Sequence, residues 1–560
     1  MMRISASCLA DKYTALAVSL CWLLLLSVGF DANAFAQVQG ATSQSGSSSL
    51  VREAAALLEA GRLEEAEAKA RQAVAAQPRN TAGRSVLGAI LDQRGLAKEA
   101  EAEYREALRL DANSTVALTN LGVLLVRTGR GDEAVATFER VLRLAPEHAQ
   151  ATFNLGALYA ARKEYVRAIR LLERAAGIGT SEPLSNDVAL LATLANAYAH
   201  VNRTADAARL FDAIESRAGS DPRVLFTLGL SAAEAGAYDR AAKLFSRTDM
   251  LRPNTYEVLY NLGIALYNLD RLDEARSTLQ RAATLTKDEP EVFYRLGLIA
   301  SARGESEDAL GLLQRALKLR PVYPEATFMI AEELVKNGRI SRAIPFYEKA
   351  AAEAPAEAVY QIRLGVAHFR SRSYAKAEEI FRAALARFPD SPLLYYLVGY
   401  AARAQGSYDE AVKAFTRSLE LQPGNGAVLA NLGFIAAERG QIVEAEGFLR
   451  RAIALEPNGF PAHYDLGRLL VRLRRYDEAL KILERGVTLG ADDPGVHYQL
   501  FITYSRLKRK DDADRELAQF KQLEEARKRV ESGMSEKDEL PPPNLRVGLP
   551  NTVKAPGPKP

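Results

Sequence analysis

The side chains able to do chemistry are few in this chain of 560 residues, and they stand far apart. The five histidines are His148, His200, His368, His463 and His497. None forms a His-x-x-x-His or His-Glu pairing, the spacing that puts two metal ligands on one face of a helix. His463 and His497 lie 34 residues apart, so a repeating structure could bring them onto adjacent helices. Two such histidines read as surface or core residues rather than as half a metal site. Both cysteines, Cys8 and Cys21, fall in the first 30 residues and cannot complete a ligand set further along. There is no Gly-rich phosphate loop and no nucleophile elbow. These residues predict a chain that is not an enzyme and carries no cofactor.

The elements around these residues are set by a period. Small residues recur at Ala54, Gly88, Gly122, Gly156, Ala195, Gly229, Gly263, Gly297, Ala331, Gly365, Gly399, Gly433 and Gly467, with Phe501 at the same phase of a last unit. Every step is 34 residues except that from Gly156 to Ala195, which is 39. Twelve residues after each of these positions stands an alanine, from Ala66 through Ala134 to Ala513. Four residues further comes a larger apolar residue, such as Phe138, Phe245, Tyr347, Phe415 or Leu483. That is one helical turn on the same face. A glycine often lies between the small residue and the alanine, as at Gly61, Gly129, Gly304 and Gly440, where a left-handed residue can end one helix. Proline recurs where the second helix must stop, at Pro78, Pro146, Pro253 and Pro457 among others. Thr81, Asn254, Asp390 and Asn458 are candidate N-caps of the next helix. Each unit is therefore a helical hairpin, and a period of this length marks an array that buries its apolar faces between neighbours.

The stretch Ala117-Leu118-Thr119-Asn120-Leu121-Gly122, followed by Asp132-Glu133-Ala134, Phe138 and Pro146, resembles a tetratricopeptide repeat. The resemblance covers about residues 47 to 527, with repeats beginning near 47, 81, 115, 149, 188, 222, 256, 290, 324, 358, 392, 426, 460 and 494. Phe501 departs from the pattern. The resemblance implies an all-α, right-handed superhelical solenoid of about 14 hairpins, grouped as repeats 1–4 (47–187, with an insertion near 177–187) and repeats 5–14 (188–527). It also implies that the second, fifth, sixth, ninth, twelfth and thirteenth positions of each first helix face a concave groove. The fifth position carries Tyr260, Tyr294, Phe328, Tyr396 and Tyr464, and the sixth carries Asn120, Asn154, Asn261 and Asn431. These nine are the candidate peptide-binding residues, the rings for stacking and the amides for hydrogen bonds to an extended backbone. Arg295 and Arg363 share the sixth position in repeats eight and ten, but Met329 separates them, so an anion clamp is incomplete.

Arg3 and Lys12 precede an apolar run from Ala15 to Phe30 and a small-x-small site ending at Ala36, which predicts a secretory signal peptide over 1–36. An uncleaved signal anchor is the alternative. Leu20 before Cys21 disfavours lipidation. A polar linker spans 37–46, and a charged, then Pro-rich, disordered tail is expected over 528–560. A net charge of +3 with 26% charged residues gives no bulk field for nucleic acid. The basic cluster Arg506 to Lys510 reads as a solvated end of the array. The expectation is thus an exported, periplasmic or extracellular scaffold without a membrane span after cleavage, holding extended protein or peptide segments in its groove. Envelope assembly or exopolysaccharide export is the other reading.

Overall fold

The computed structural model describes residues 46–179, 184–286 and 288–533. The leader, the linker up to residue 45, residues 180–183 of the insertion and the tail from 534 lie outside them. Among the described residues there are 28 helices and no strand, paired as fourteen successive hairpins in an all-α solenoid. First helices open at Thr81, Thr115, Ala149, Val188, Pro222 and onwards to Pro494. Residues up to Leu285 cluster into one compact unit and those from Thr286 into a second, with seven hairpins in each. The division between the two units falls at 285/286.

Packing inside each hairpin explains the small phase. In the third repeat, Gly122 on Thr115–Arg127 lies against Phe138 on Gly131–Leu144, and a methyl group on Gly122 would come 2.6 Å from the ring. The same arrangement pairs Gly229 with Phe245, Gly263 with Leu279 and Gly433 with Leu449, sixteen residues apart each time. The periodic alanines are all exposed by 4% or less, so the two helices meet along an Ala-and-ring seam. In the last repeat the corresponding residues are Phe501 and Leu517, and both side chains stay half-buried where other repeats close completely.

The hairpin turn is equally regular. All fourteen units place a residue with positive φ before the second helix. Eight use glycine, from Gly61 to Gly440, and six use Lys163, Asn202, Asp270, Arg372, Arg474 and Lys508, at φ near 60°. Those six bear the left-handed cost that glycine avoids. The side-chain caps of first helices are Asn80, Ser114, His148, Asp187, Asp221, Ser391, Asn425 and Asp493, each accepting a backbone N–H. They fall one residue away from several positions expected from composition: Thr81 is already helical, and Ser391 takes the role in place of Asp390. Arginines just before second helices tie successive repeats together. Arg130 reaches Glu133 at 2.6 Å and Glu101 of the preceding repeat at 2.8 Å, and Arg475 does the same with Glu478 and Glu446. Such exposed pairs contribute at most about 1 kcal/mol each. The stack is held mainly by its apolar seams.

Candidate functional site

The final helix, Lys510–Gly533, is 24 residues long and runs past the end of its repeat. Its later turns, at Phe520, Glu524 and Arg527, form one wall of a cavity of about 670 Å³. The first helices Pro392–Ala404, Gly426–Glu438, Phe460–Arg472 and Pro494–Arg506 supply most of the rest, with second-helix and loop residues such as Ala452, Glu456 and Asp493 completing it. Their contribution comes from one set of phases. Ala427, Pro461 and Gly495 hold the second position, Tyr396, Ala430, Tyr464 and Tyr498 the fifth, Asn431 and Asp465 the sixth, Phe434 and Arg468 the ninth, and Arg403 the twelfth. A cavity of this size falls in the range of small-ligand and side-chain pockets.

Its walls are aromatic and charged at once. Phe460 and Tyr464 stack at 5.8 Å between centroids, and Tyr498 packs on Phe520 at 5.2 Å while staying 42% exposed. The guanidinium of Arg403 lies 4.7 Å from the centre of Phe434 and that of Arg468 lies 5.2 Å from it, so this ring already carries two cations. Arg468 donates to Glu438 at 2.9 Å, and Arg527 to Glu524 at 3.1 Å. Glu456 and Asp493 accept backbone N–H groups at the starts of two first helices, from Ala427 and Gly495.

Asp465 differs from those carboxylates. It is 8% exposed, and its ion-pair partner Arg468 stands 3.6 Å away, beyond hydrogen-bond length. Burial pushes its carboxyl up to about 6, with Arg468 and Arg403 pulling it back and Glu438 and Asp493 adding to the rise. Asn431, one repeat earlier at the same phase, is 6% exposed. Its Nδ2 donates to the Ala427 carbonyl at 2.8 Å, and its buried Oδ1 has no hydrogen-bond partner.

Of the nine candidate residues, the structure brings three to this cavity: Tyr396, Asn431 and Tyr464. Tyr260, Phe328 and Tyr396 are exposed by 1, 2 and 3%, so their rings pack within the fold. The cause is local. Phe328 lies against Tyr347 at 5.6 Å and Tyr360 at 4.8 Å, and Tyr396 against Phe415 at 5.9 Å. Tyr294 and Tyr464 are part-exposed, as are Asn120, Asn154 and Asn261. Asn261 donates to the Glu257 carbonyl at 2.7 Å, as Asn431 does one turn back on its own helix, so these amides keep an acceptor for a ligand but have spent a donor. Asn154 Oδ1 accepts from Gln150 at 3.4 Å. Arg295 is buried over the Tyr294 ring, and Arg363 lies 3.4 Å from Glu332, so both are engaged within the fold.

Asp465, Arg468, Arg403 and Phe520 were not among the sequence candidates. The first three were within reach, because Asp465 shares the sixth position with Asn431, and Arg468 and Arg403 hold the inward ninth and twelfth positions. Phe520 was not, since it stands on a second helix, at the position of Gly486 one repeat earlier, whereas the groove positions were sought on first helices. Four of the five histidines are used locally: His148 caps a helix, His200 stacks on Tyr165, His463 meets the Gly459 carbonyl, and His497 lies between Glu516 and the Ala491 carbonyl, while His368 stands 4.0 Å from Glu348. Among the described residues no group of three His, Cys, Asp or Glu side chains could hold a metal ion, and no helix is long and apolar enough to cross a membrane.

Stacked helical hairpins with a cavity built from their inward phases define an α-solenoid of the kind that presents a surface to other molecules. Tetratricopeptide repeat models match residues 51–115, 119–183, 193–254, 294–358 and 362–426, and a second such model matches 232–296, 402–458 and 436–499. The chain belongs to the tetratricopeptide repeat family. No curated protein sequence matches it. Among solved structures it is similar to yeast Tom70, at 17% identity over 77% of this chain and 96% of that chain with a TM-score of 0.34. It is also similar to a chain of the APC/C hetero-tetramer Cut9-Hcn1, at 14% identity over 84% and 97% with a TM-score of 0.34. A MamA RS-1 double mutant matches at 24% identity over 30% of this chain and 94% of that chain, with a TM-score of 0.29.

Proposed function

We propose that this chain is a non-enzymatic scaffold that binds an extended segment of a partner protein, with the cavity of the last four repeats as its principal contact site. The observation that supports this is the convergence of one set of repeat phases, together with the overrunning last helix, on a single pocket of about 670 Å³. Planar rings at its rim, Tyr464 and Tyr498, give contact area at low entropic cost, and buried polar groups at its base give direction. The other inward phases extend the surface along the array and add contacts of lower individual worth. Export is part of the same proposal and rests on the leader, where Arg3 and Lys12 precede the apolar run and a cleavable site follows at Ala36.

The test is a photo-crosslinking residue at Tyr498 in the cells that make the chain, with adducts identified by mass spectrometry. Protein adducts that disappear when Tyr464 and Arg468 are both replaced by alanine are the expected result. Adducts of polysaccharide without protein would overturn the reading in favour of a role in glycan export.

A further inference from the structure

The polar base of the cavity has a definite sign. Asp465 and Asn431 hold the sixth position of neighbouring repeats, and both present acceptors to the cavity they line. The Asn431 amide cannot reverse to offer a donor without losing its bond to Ala427, so Oδ1 stays buried and unmatched. An unmet buried acceptor is costly, and a buried carboxylate without a hydrogen-bonded cation is more so. The nearby cations are shared: Arg468 stands 3.6 Å from Asp465 but donates to Glu438 at 2.9 Å and lies over Phe434, and Arg403 lies over Phe434 and Tyr400. Glu456, Asp493 and Glu524 already accept from Ala427, Gly495 and Arg527, which leaves Asp465 as the carboxylate in need of a charged donor. The Tyr464 ring beside it and the stacked Phe460 offer the apolar, quadrupole-bearing wall that a cation's alkyl stem and charged head both favour.

From this juxtaposition we infer that the cavity takes a lysine or arginine side chain presented by the partner's extended segment, with Asp465 as the counter-ion and Asn431 Oδ1 as a second acceptor. The inference rests on the peptide-binding reading above and gives the partner a chemistry. A neutral or acidic side chain would leave both acceptors unmet.

A random peptide library panned on the full chain tests both levels. The expected result is enrichment of peptides with a lysine or arginine flanked by apolar residues. In the best binder, replacing that lysine by acetyl-lysine lowers affinity on the order of tenfold or more, because a buried charge loses its partner. Asp465→Asn, close to isosteric, abolishes the difference between lysine and acetyl-lysine, and Asn431→Ala reduces it. Circular dichroism melting of each variant shows that the fold is kept. Enriched peptides without a cationic bias, or an unchanged lysine preference in Asp465→Asn, would overturn the cationic pocket while leaving peptide binding standing. Failure to enrich any peptide would overturn the peptide-binding reading and this inference with it.

Discussion

If Asp465 is kept for a ligand, the empty protein should be more stable without its charge. Burial raises the Asp465 carboxyl from its ordinary 3.8 to about 6, so the folded state holds the proton more tightly than the unfolded chain does. The sign follows from proton linkage: stability falls as pH rises from 3.8 through 6 and remains low above that window. A shift of about two units is worth roughly 3 kcal/mol at pH 7.5, an upper bound because the site can relax and admit water. Asp465→Asn keeps the volume and removes the charge, so the gain relative to the parent should be up to about 3 kcal/mol at pH 7.5 and only about 1 kcal/mol at pH 4.5. The charged groups that set the local field, Arg468, Arg403, Glu438 and Asp493, are present in both proteins. Comparison at each pH therefore isolates residue 465. Long arrays need not unfold in one step, so amide exchange in helix Phe460–Arg472 is the better readout than a single melting temperature. A gain of this size slows local exchange by roughly a hundredfold. Equal stability of the two proteins at pH 7.5, or a gain of the same size at both pH values, would refute the reasoning. Loss of lysine-peptide binding alongside that gain would mark a residue whose charge serves recognition at the expense of stability.

Other expectations follow from single contacts. Glu234 is pushed up to about 7 by burial, against the hydrogen bond from Asn196, and its Oε1 has no partner. Glu234→Gln should therefore stabilise the N-terminal unit by up to about 3 kcal/mol at pH 8, with the gain fading between pH 7 and 4.5, as followed by exchange in Pro222–Glu234. Gly122→Ala sets a methyl 2.6 Å from the Phe138 ring and should cost about 1–3 kcal/mol, read as faster exchange in both helices of that hairpin. Arg474, left-handed at φ 62°, should tolerate glycine with a net gain of about 0.5–1 kcal/mol in urea denaturation, and a loss would mean that its side chain holds the turn. Edman sequencing of the exported chain should begin at Gln37, whereas an intact N-terminus would indicate a retained anchor.

The fold was legible because one steric rule is written in twelve of the fourteen repeats. A glycine or alanine at the eighth position means that a ring or leucine sixteen residues on must fit above it, and the structure shows that contact at Gly122, Gly229 and Gly433 alike. The six left-handed turns at Lys163, Asn202, Asp270, Arg372, Arg474 and Lys508 were hidden in composition, since no side chain there announces its φ. Once the repeat is aligned, their phase gives them away. The site was harder for a physical reason: the fifth position serves packing and recognition with the same residue types. Phe226, Phe328 and Tyr396 each have an aromatic nineteen residues later, Phe245, Tyr347 and Phe415, and each ring lies within 6 Å of that partner. Tyr464 and Tyr498 have leucines there, at 483 and 517, and both keep exposed surface at the cavity. An aromatic at i+19 therefore marks many of the rings claimed by the hairpin itself, although Tyr260 is buried with a leucine, Leu279, at that position. Polar residues at the sixth position carry a cleaner signal, because a carboxylate there has no role in the seam. Read that way, Asp465 is the most informative residue in the array: it is 8% exposed, Arg468 and Arg403 only partly offset its burial, and the proposed cationic side chain would supply the remainder.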